Sequence, residues 1–269
     1  MVGSTITTAE QTILEEYLKR PLSPANAEAL AAVSNGPIDP ADALPLNQID
    51  RQVDPAPLKV ESGWCVMADA TIKVQVLTPM PKVTAEMVDW WFDWHPHQAI
   101  RYKVWHPQAH INNSVVEAAT AGVKAHWGTT HYPVETLGQE LIKARIEFVP
   151  PVEIGFSSNE LENPNVATII CGKAGDMKLH VRHTVMSHVW LNDGNGGTNL
   201  RSHFWCGAIM RPDLPSGLGD VVGKLINRPV MRKLAMPESV GESLSLHCVE
   251  EFSNLAEILP ELYAEFAPA

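Results

Sequence analysis

The chain has 269 residues, 45% of them hydrophobic and 19% charged, and carries a formal charge of −11 at neutral pH. That suits one large globular domain, or one domain with a small appendage, and excludes a disordered chain. The acidic balance argues against nucleic acid and anionic membrane surfaces as partners, and no stretch approaches the ~20 apolar residues that a membrane span needs.

The N-terminus is polar and has no signal-peptide core, so a cytoplasmic location is expected. Cys65, Cys171, Cys206 and Cys248 are far apart and form no CxxC, which reads as reduced, structural thiols.

Residues 5–35 read as two short helices. Thr7 and Glu10 open the first like a capping box, and Ser23-Pro24 opens the second, which stops at Asn35-Gly36. Pro37 to Pro57 is rich in Pro and Asp and reads as a linker or a wrapping arm. Residues 1–60 are therefore expected as a helical segment with its linker, and 61–269 as the main domain.

Trp64–Ala68 and Thr71–Leu77 read as a hairpin turning at Asp69. Thr84 caps a helix to Trp94 whose Trp90, Trp91, Phe92 and Trp94 pack a core or wall an aromatic pocket. His95 and His97 follow in a turn and suit solvated or capping roles. Ile100 to His110 reads as an extended run ending at Pro107, with His106 and His110 at the end of a sheet. His131 to Gly138 reads as a loop that carries Glu135.

Leu141–Phe148, Val166–Cys171, Lys178–Leu191 and Leu200–Met210 read as strands. Asn192 to Gly197 is a hairpin turn between the last two. On the return strand Ser202 and Phe204 share one face, and Arg201, His203 and Trp205 share the other. Pro212 to Gly219 reads as a loop, and short helical pieces follow at 221–227 and 231–235.

The last element is a helix in which Val240, Leu244, His247, Glu251, Leu255, Ile258 and Leu262 recur on one narrow face. An unpaired buried carboxylate costs several kcal/mol, so Glu251 needs a partner. A divalent metal shared with His247 would serve, and so would an ion pair with His247 or with an arginine. The order of elements predicts an α+β fold, with a curved antiparallel sheet wrapped around this helix. No GxGxxG, P-loop, G-x-S-x-G or HExxH is present. What remains is eleven histidines and the helix pair, which point to a His/Glu metal site in an aromatic-lined cavity.

From Trp90 onward the sequence resembles the 2,4-diacetylphloroglucinol and phloretin hydrolases. The resemblance rests on Trp90-Trp91-Phe92-Asp93-Trp94-His95-Pro96, Arg101-Tyr102-Lys103-Val104-Trp105-His106-Pro107-Gln108-Ala109-His110, the run Glu147 to Phe156, Leu200 to Trp205, and His247-Cys248-Val249-Glu250-Glu251. It implies a helix-grip fold, like START domains and the birch pollen allergen, and commonly a homodimer. It also implies a zinc ion held by His110, Glu135, His247 and Glu251, with His106 and Glu140 as competitors for the first two places. Tyr102 matches a residue that hydrogen-bonds the phenolic oxygen of the substrate, and His188 and His203 are further substrate contacts. The reaction implied is hydrolysis of the carbon–carbon bond between an acyl group and a polyhydroxylated aromatic ring. A helix-grip carrier of aromatic ligands, or an iron oxygenase with two His and one carboxylate, are the competing readings.

Overall fold

The alternating runs in the middle of the chain pair into one antiparallel sheet, and the last helix lies in its hollow. The computed structural model describes residues 6–116, 118, 123–178 and 180–268. Its strands are β1 (Gly63–Val66), β2 (Ile72–Met80), β3 (His110–Asn112), β4 (Val115–Val116), β5 (Thr130–His131), β6 (Val134–Leu137), β7 (Glu140–Val149), β8 (Val166–Asp176), β9 (Val181–Asn192) and β10 (Thr198–Pro212). Its helices are α1 (Thr8–Lys19), α2 (Ala27–Ser34), α3 (Ala85–Trp94), α4 (Ala99–Trp105), α5 (Ser158–Leu161), α6 (Ser216–Ile226), α7 (Pro229–Ala235) and α8 (Ser239–Phe266). The main sheet order is β1-β2-β10-β9-β8-β7-β5-β4, while β6 pairs with β7 and carries β3. This is the helix-grip α+β architecture that the sequence suggests.

Alternation decides what each sheet face meets. Ile72, Val74, Val76, Leu200 and Phe204 point inward and bury Val249, Phe252, Leu255 and Leu259 of α8. Burying a side chain of this kind is worth about 1.5–3 kcal/mol, so α8 is anchored along its length. At its start, a Cβ on Gly241 would lie 2.5 Å from the Trp64 ring on β1. Only glycine lets the helix approach the strand so closely.

The outer sheet face is covered as well. Residues 37–57 are an arm, not a free linker. Ile49 and Val53, in the 3-10 segment Leu46–Val53, pack on Ile169, Val185, Val189 and Trp205. Arg201, buried on the same face, donates to the carbonyls of Gln52 (3.1 Å), Ala56 (2.9 Å) and Asp54 and pairs with Glu61 at 2.7 Å. Breaking a buried ion pair costs roughly 3–5 kcal/mol, so this guanidinium pins the arm to the sheet.

Three local expectations need correction. Ala99–Trp105 is helical, although Ile, Tyr, Val and Trp favour strands. Arg101 from this helix is buried against Glu10 of α1 at 2.6 Å, and that tertiary contact overrides propensity. His131–Gly138 contains β5 and β6 instead of a loop. The second N-terminal helix starts at Asn26, whose side chain accepts from Ala29 N–H, and not at Ser23.

Candidate metal centre

Three pieces of chain meet under α8. After α4 the backbone makes one more turn, in which His110 N–H donates to the His106 carbonyl at 2.8 Å. This turn delivers His110 to the start of β3. There it stands in register with Glu135 on β6. From the other side α8 offers His247 and Glu251, one helical turn apart. His110 Nε2 lies 3.4 Å from His247 Nε2 and 3.6 Å from both Glu135 Oε2 and Glu251 Oε2. His247 Nε2 lies 3.7 Å from Glu251 Oε2 and 4.0 Å from Glu135 Oε2. The ligand atoms of His110, His247 and Glu251 lie within 4.8 Å of one another, and Glu135 adds a fourth oxygen beside both imidazoles.

The donor set fits a cation. His110 Nδ1 sits 3.0 Å from the Tyr102 carbonyl, which can only accept, so its hydrogen is on Nδ1 and its Nε2 presents a lone pair. Tyr102 gives its hydroxyl hydrogen to Glu135 and stacks on His110 with ring centroids 3.9 Å apart. The His110 lone pair and the carboxylate oxygens therefore converge beside His247 Nε2, with the Tyr102 hydroxyl hydrogen supplied among them. Zinc–nitrogen bonds of about 2.0–2.1 Å at tetrahedral angles put two nitrogens about 3.4 Å apart, as here. The electrostatics agree. Burial and the nearby Glu135 charge push the Glu251 carboxyl up to about 7. Burial pulls His110 and His247 down to about 4 and so keeps them neutral, as metal ligation requires. Burial first, and then the Glu135 charge, hold the Tyr102 phenol well above its ordinary value.

A family model described as the DAPG hydrolase PhiG domain matches residues 44–264. The chain belongs to that family. Phloretin hydrolase of Eubacterium ramulus is 29% identical over 258 residues, covering 93% of this chain and 89% of its own. The 2,4-diacetylphloroglucinol hydrolase of a Pseudomonas species is 27% identical, covering 88% and 83%. Among solved structures, the di-domain ARO/CYC BexL is 12% identical with a TM-score of 0.40, covering 74% of this chain and 51% of its own.

The competitors for ligation stand elsewhere. His106 Nδ1 accepts from Ala109 N–H at 3.2 Å, so its hydrogen lies on Nε2, which faces the half-exposed Glu250 at 3.2 Å. Its ring stacks on His247 and braces that ligand. Glu140 is exposed at the β6–β7 turn. His188 lies on the inner face, with Nδ1 2.9 Å from Ser202 Oγ and its ring against Phe252. Ring contacts continue from Phe252 through Trp105 to His110.

His203 must be corrected as a substrate contact. One residue after Ser202, it points through the opposite face, where its Nδ1 meets Lys73 Nζ at 3.0 Å. The period of two in a strand allows no other outcome. The aromatic helix also differs from a pocket wall. Trp91 and Phe92 are core residues, and Trp90 and Trp94 stack on each other and touch Tyr263 and Phe266 of α8. His95 is buried, not solvated, with Nδ1 on the Trp91 carbonyl at 2.7 Å. Sequence reasoning gave no role to Trp105, which donates to the Glu251 carbonyl, or to Asn254, which donates to the Trp105 carbonyl. Asn254, a polar residue three positions after Glu251 in a mostly apolar stretch, was the available signal.

Proposed function

We propose that this chain is a zinc-dependent hydrolase that cleaves the carbon–carbon bond between an acyl group and a polyhydroxylated aromatic ring. Acylphloroglucinols and phloretin are the substrate class. The observation that carries the reading is the convergence of His110, His247 and Glu251, with Glu135 at 3.6 and 4.0 Å from the two imidazole nitrogens, inside a member of this hydrolase family. A zinc ion held by these four side chains would supply Lewis-acid polarisation of the acyl carbonyl.

The remaining chemistry falls to the chain's own groups. Hydrolysis breaks the ring–acyl bond, adds the elements of water, and releases a carboxylic acid and a phenol whose ring carbon has gained a proton. Tyr102 spends its hydrogen on Glu135, so its oxygen is free to accept a hydrogen bond from a substrate phenol. Tyr102 and Glu135 together form a two-member relay that takes the phenolic hydrogen and returns it to the acyl-bearing ring carbon. Burial draws His188 down to about 3, so it meets the aromatic ring as a neutral imidazole. In this reading 61–269 form the catalytic domain and 1–60 a helical segment clasped to it.

The homodimer reading is supported by α6 and α7. They leave Leu218, Val221, Leu225, Val230 and Leu234 at 50–75% exposure, an apolar face of the kind that subunits cover. Sedimentation should give a dimer that Leu218→Glu with Leu225→Glu converts to monomer; a monomeric wild type rejects this. A cytoplasmic location is supported by four buried, unpaired cysteine thiols, and cell fractionation tests it. Among the described residues no helix is long and apolar enough to cross a membrane.

The deciding experiment is metal analysis of purified protein alongside turnover of acylphloroglucinols with acetyl side chains and of phloretin. About one zinc per chain is expected, with release of an acid and a free phenol. Cleavage retained by metal-free protein rejects the zinc role. Binding without turnover on the whole panel leaves a carrier.

A further inference from the structure

The metal centre is assembled from two parts of the fold. Tyr102, His110 and Glu135 belong to the α4–β3–β6 side, and His247 and Glu251 to α8. A zinc site tolerates distance errors of only about 0.2 Å, so something must set the gap between the halves.

We propose that Asn254 is the positioning residue that sets it, and that Trp105 is its counterpart on α4. This rests on the metal-centre reading above. The last carbonyls of a helix have no partner within the helix. In α4 those of Val104 and Trp105, between Tyr102 and His110, accept instead from Asn254 Nδ2 at 3.3 and 2.8 Å. The exchange is reciprocal, since Trp105 Nε1 donates to the Glu251 backbone carbonyl at 3.0 Å. A side chain from each half thus grips the backbone of the other beside a ligand residue.

The orientation of the Asn254 amide follows from its partners. Its Oδ1 accepts from Ser23 N–H at 3.1 Å, and that group can only donate. The two carbonyls can only accept, so the amide cannot be flipped without losing all three bonds. Asn254 is 4% exposed. A cleft of about 530 Å³ runs beside it, lined by Ser23, Val104, Pro107 and Asn254 itself. On that side its amide is held by the bond from Ser23. Through this amide the N-terminal segment touches the same side chain that holds the end of α4.

The test is zinc affinity of the full-length protein by chelator competition, together with urea unfolding of the metal-free form. Asn254→Asp keeps the size and the bond from Ser23 but turns an oxygen toward the two carbonyls. Asn254→Ala removes every bond. Both should weaken zinc about 10–100-fold, the range for residues that orient ligands. Trp105→Phe loses the donor together with part of the indole ring, so it should act in the same direction; it decides the matter if the Asn254 variants do not fold. Ser253→Ala loses a bond from Asn26 N–H and none to α4, so it should lower unfolding stability and leave zinc affinity unchanged.

The proposal is overturned if the Asn254 and Trp105 variants bind zinc within about twofold of wild type while losing stability. It is overturned equally if Ser253→Ala weakens zinc as much as they do. A wild type that takes up no zinc is a different failure, that of the metal centre itself.

Discussion

The inner and outer faces of the sheet both bury titratable groups, and they resolve the cost differently. Inside, the His110 lone pair and the Glu135 and Glu251 oxygens gather beside His247 Nε2, and Tyr102 gives its hydroxyl hydrogen to Glu135. Outside, Lys73 is fully buried, yet its amine donates to the Val74 carbonyl at 2.6 Å, meets His203 Nδ1 at 3.0 Å and sits over the Trp205 ring. Burial drives Lys73 well below its ordinary value, so this cluster sheds its charge. Donor and acceptor inventory, not burial, separates the two. A set short of hydrogens needs a cation, and a set that supplies its own does not.

The sharpest way to break this contrast is to remove a ligand. His247→Ala or Glu251→Gln should abolish zinc binding and reduce cleavage to background, as read by metal analysis and product release. Glu251→Gln sharpens it further in the metal-free protein. The Glu251 carboxyl is raised to about 7, so the stability it contributes is present below its ordinary range near 4.5 and lost as pH rises through about 7. Metal-free Glu251→Gln should therefore gain on metal-free wild type from pH 4.5 to 7, by no more than about 1.4 kcal/mol per pH unit. Urea midpoints that stay parallel would show that this carboxylate is not held at the cluster in the metal-free protein.

A smaller effect separates the two hairpin histidines. His188→Ala should change KM and kcat for the aromatic substrate. His203→Gln should leave both unchanged and cost about 1–3 kcal/mol of stability, because Lys73 loses its buried partner. Equal catalytic losses in the two variants would erase the distinction between the faces.

The last effect is the acid limb. Burial depresses His126 and His183 to about 4 and His95 and His188 to about 3. The unfolded chain takes up these protons first, near 6.5, so the stability is present above that value and lost as pH falls toward 4 and then 3. Urea midpoints should fall over that window, and His126→Phe should flatten the fall slightly.

Periodicity carried most of the fold. The 3.6-residue repeat from Val240 to Leu262 located α8 and placed His247 and Glu251 on its inner side, as their burial shows. Alternation along β9 and β10 separated Ser202 from His203. The α4 region misled because bulky and β-branched residues favour strands when no partner is known, and Arg101 finds its partner 91 residues away in Glu10. Nothing local marked the 37–57 arm as a cover for the outer face, since its apolar residues are few and its anchor, Arg201, lies on β10.

The sequence alone determined which chemistry was available: a histidine and a carboxylate one turn apart on a greasy helix face, because helical geometry is a local property. Only the tertiary structure decided which other residues join them. His110 and Glu135 meet through the β3–β6 register, and Asn254 meets the end of α4 across 149 residues. Pairings over such separations depend on how surfaces pack, and no spacing along the chain encodes them.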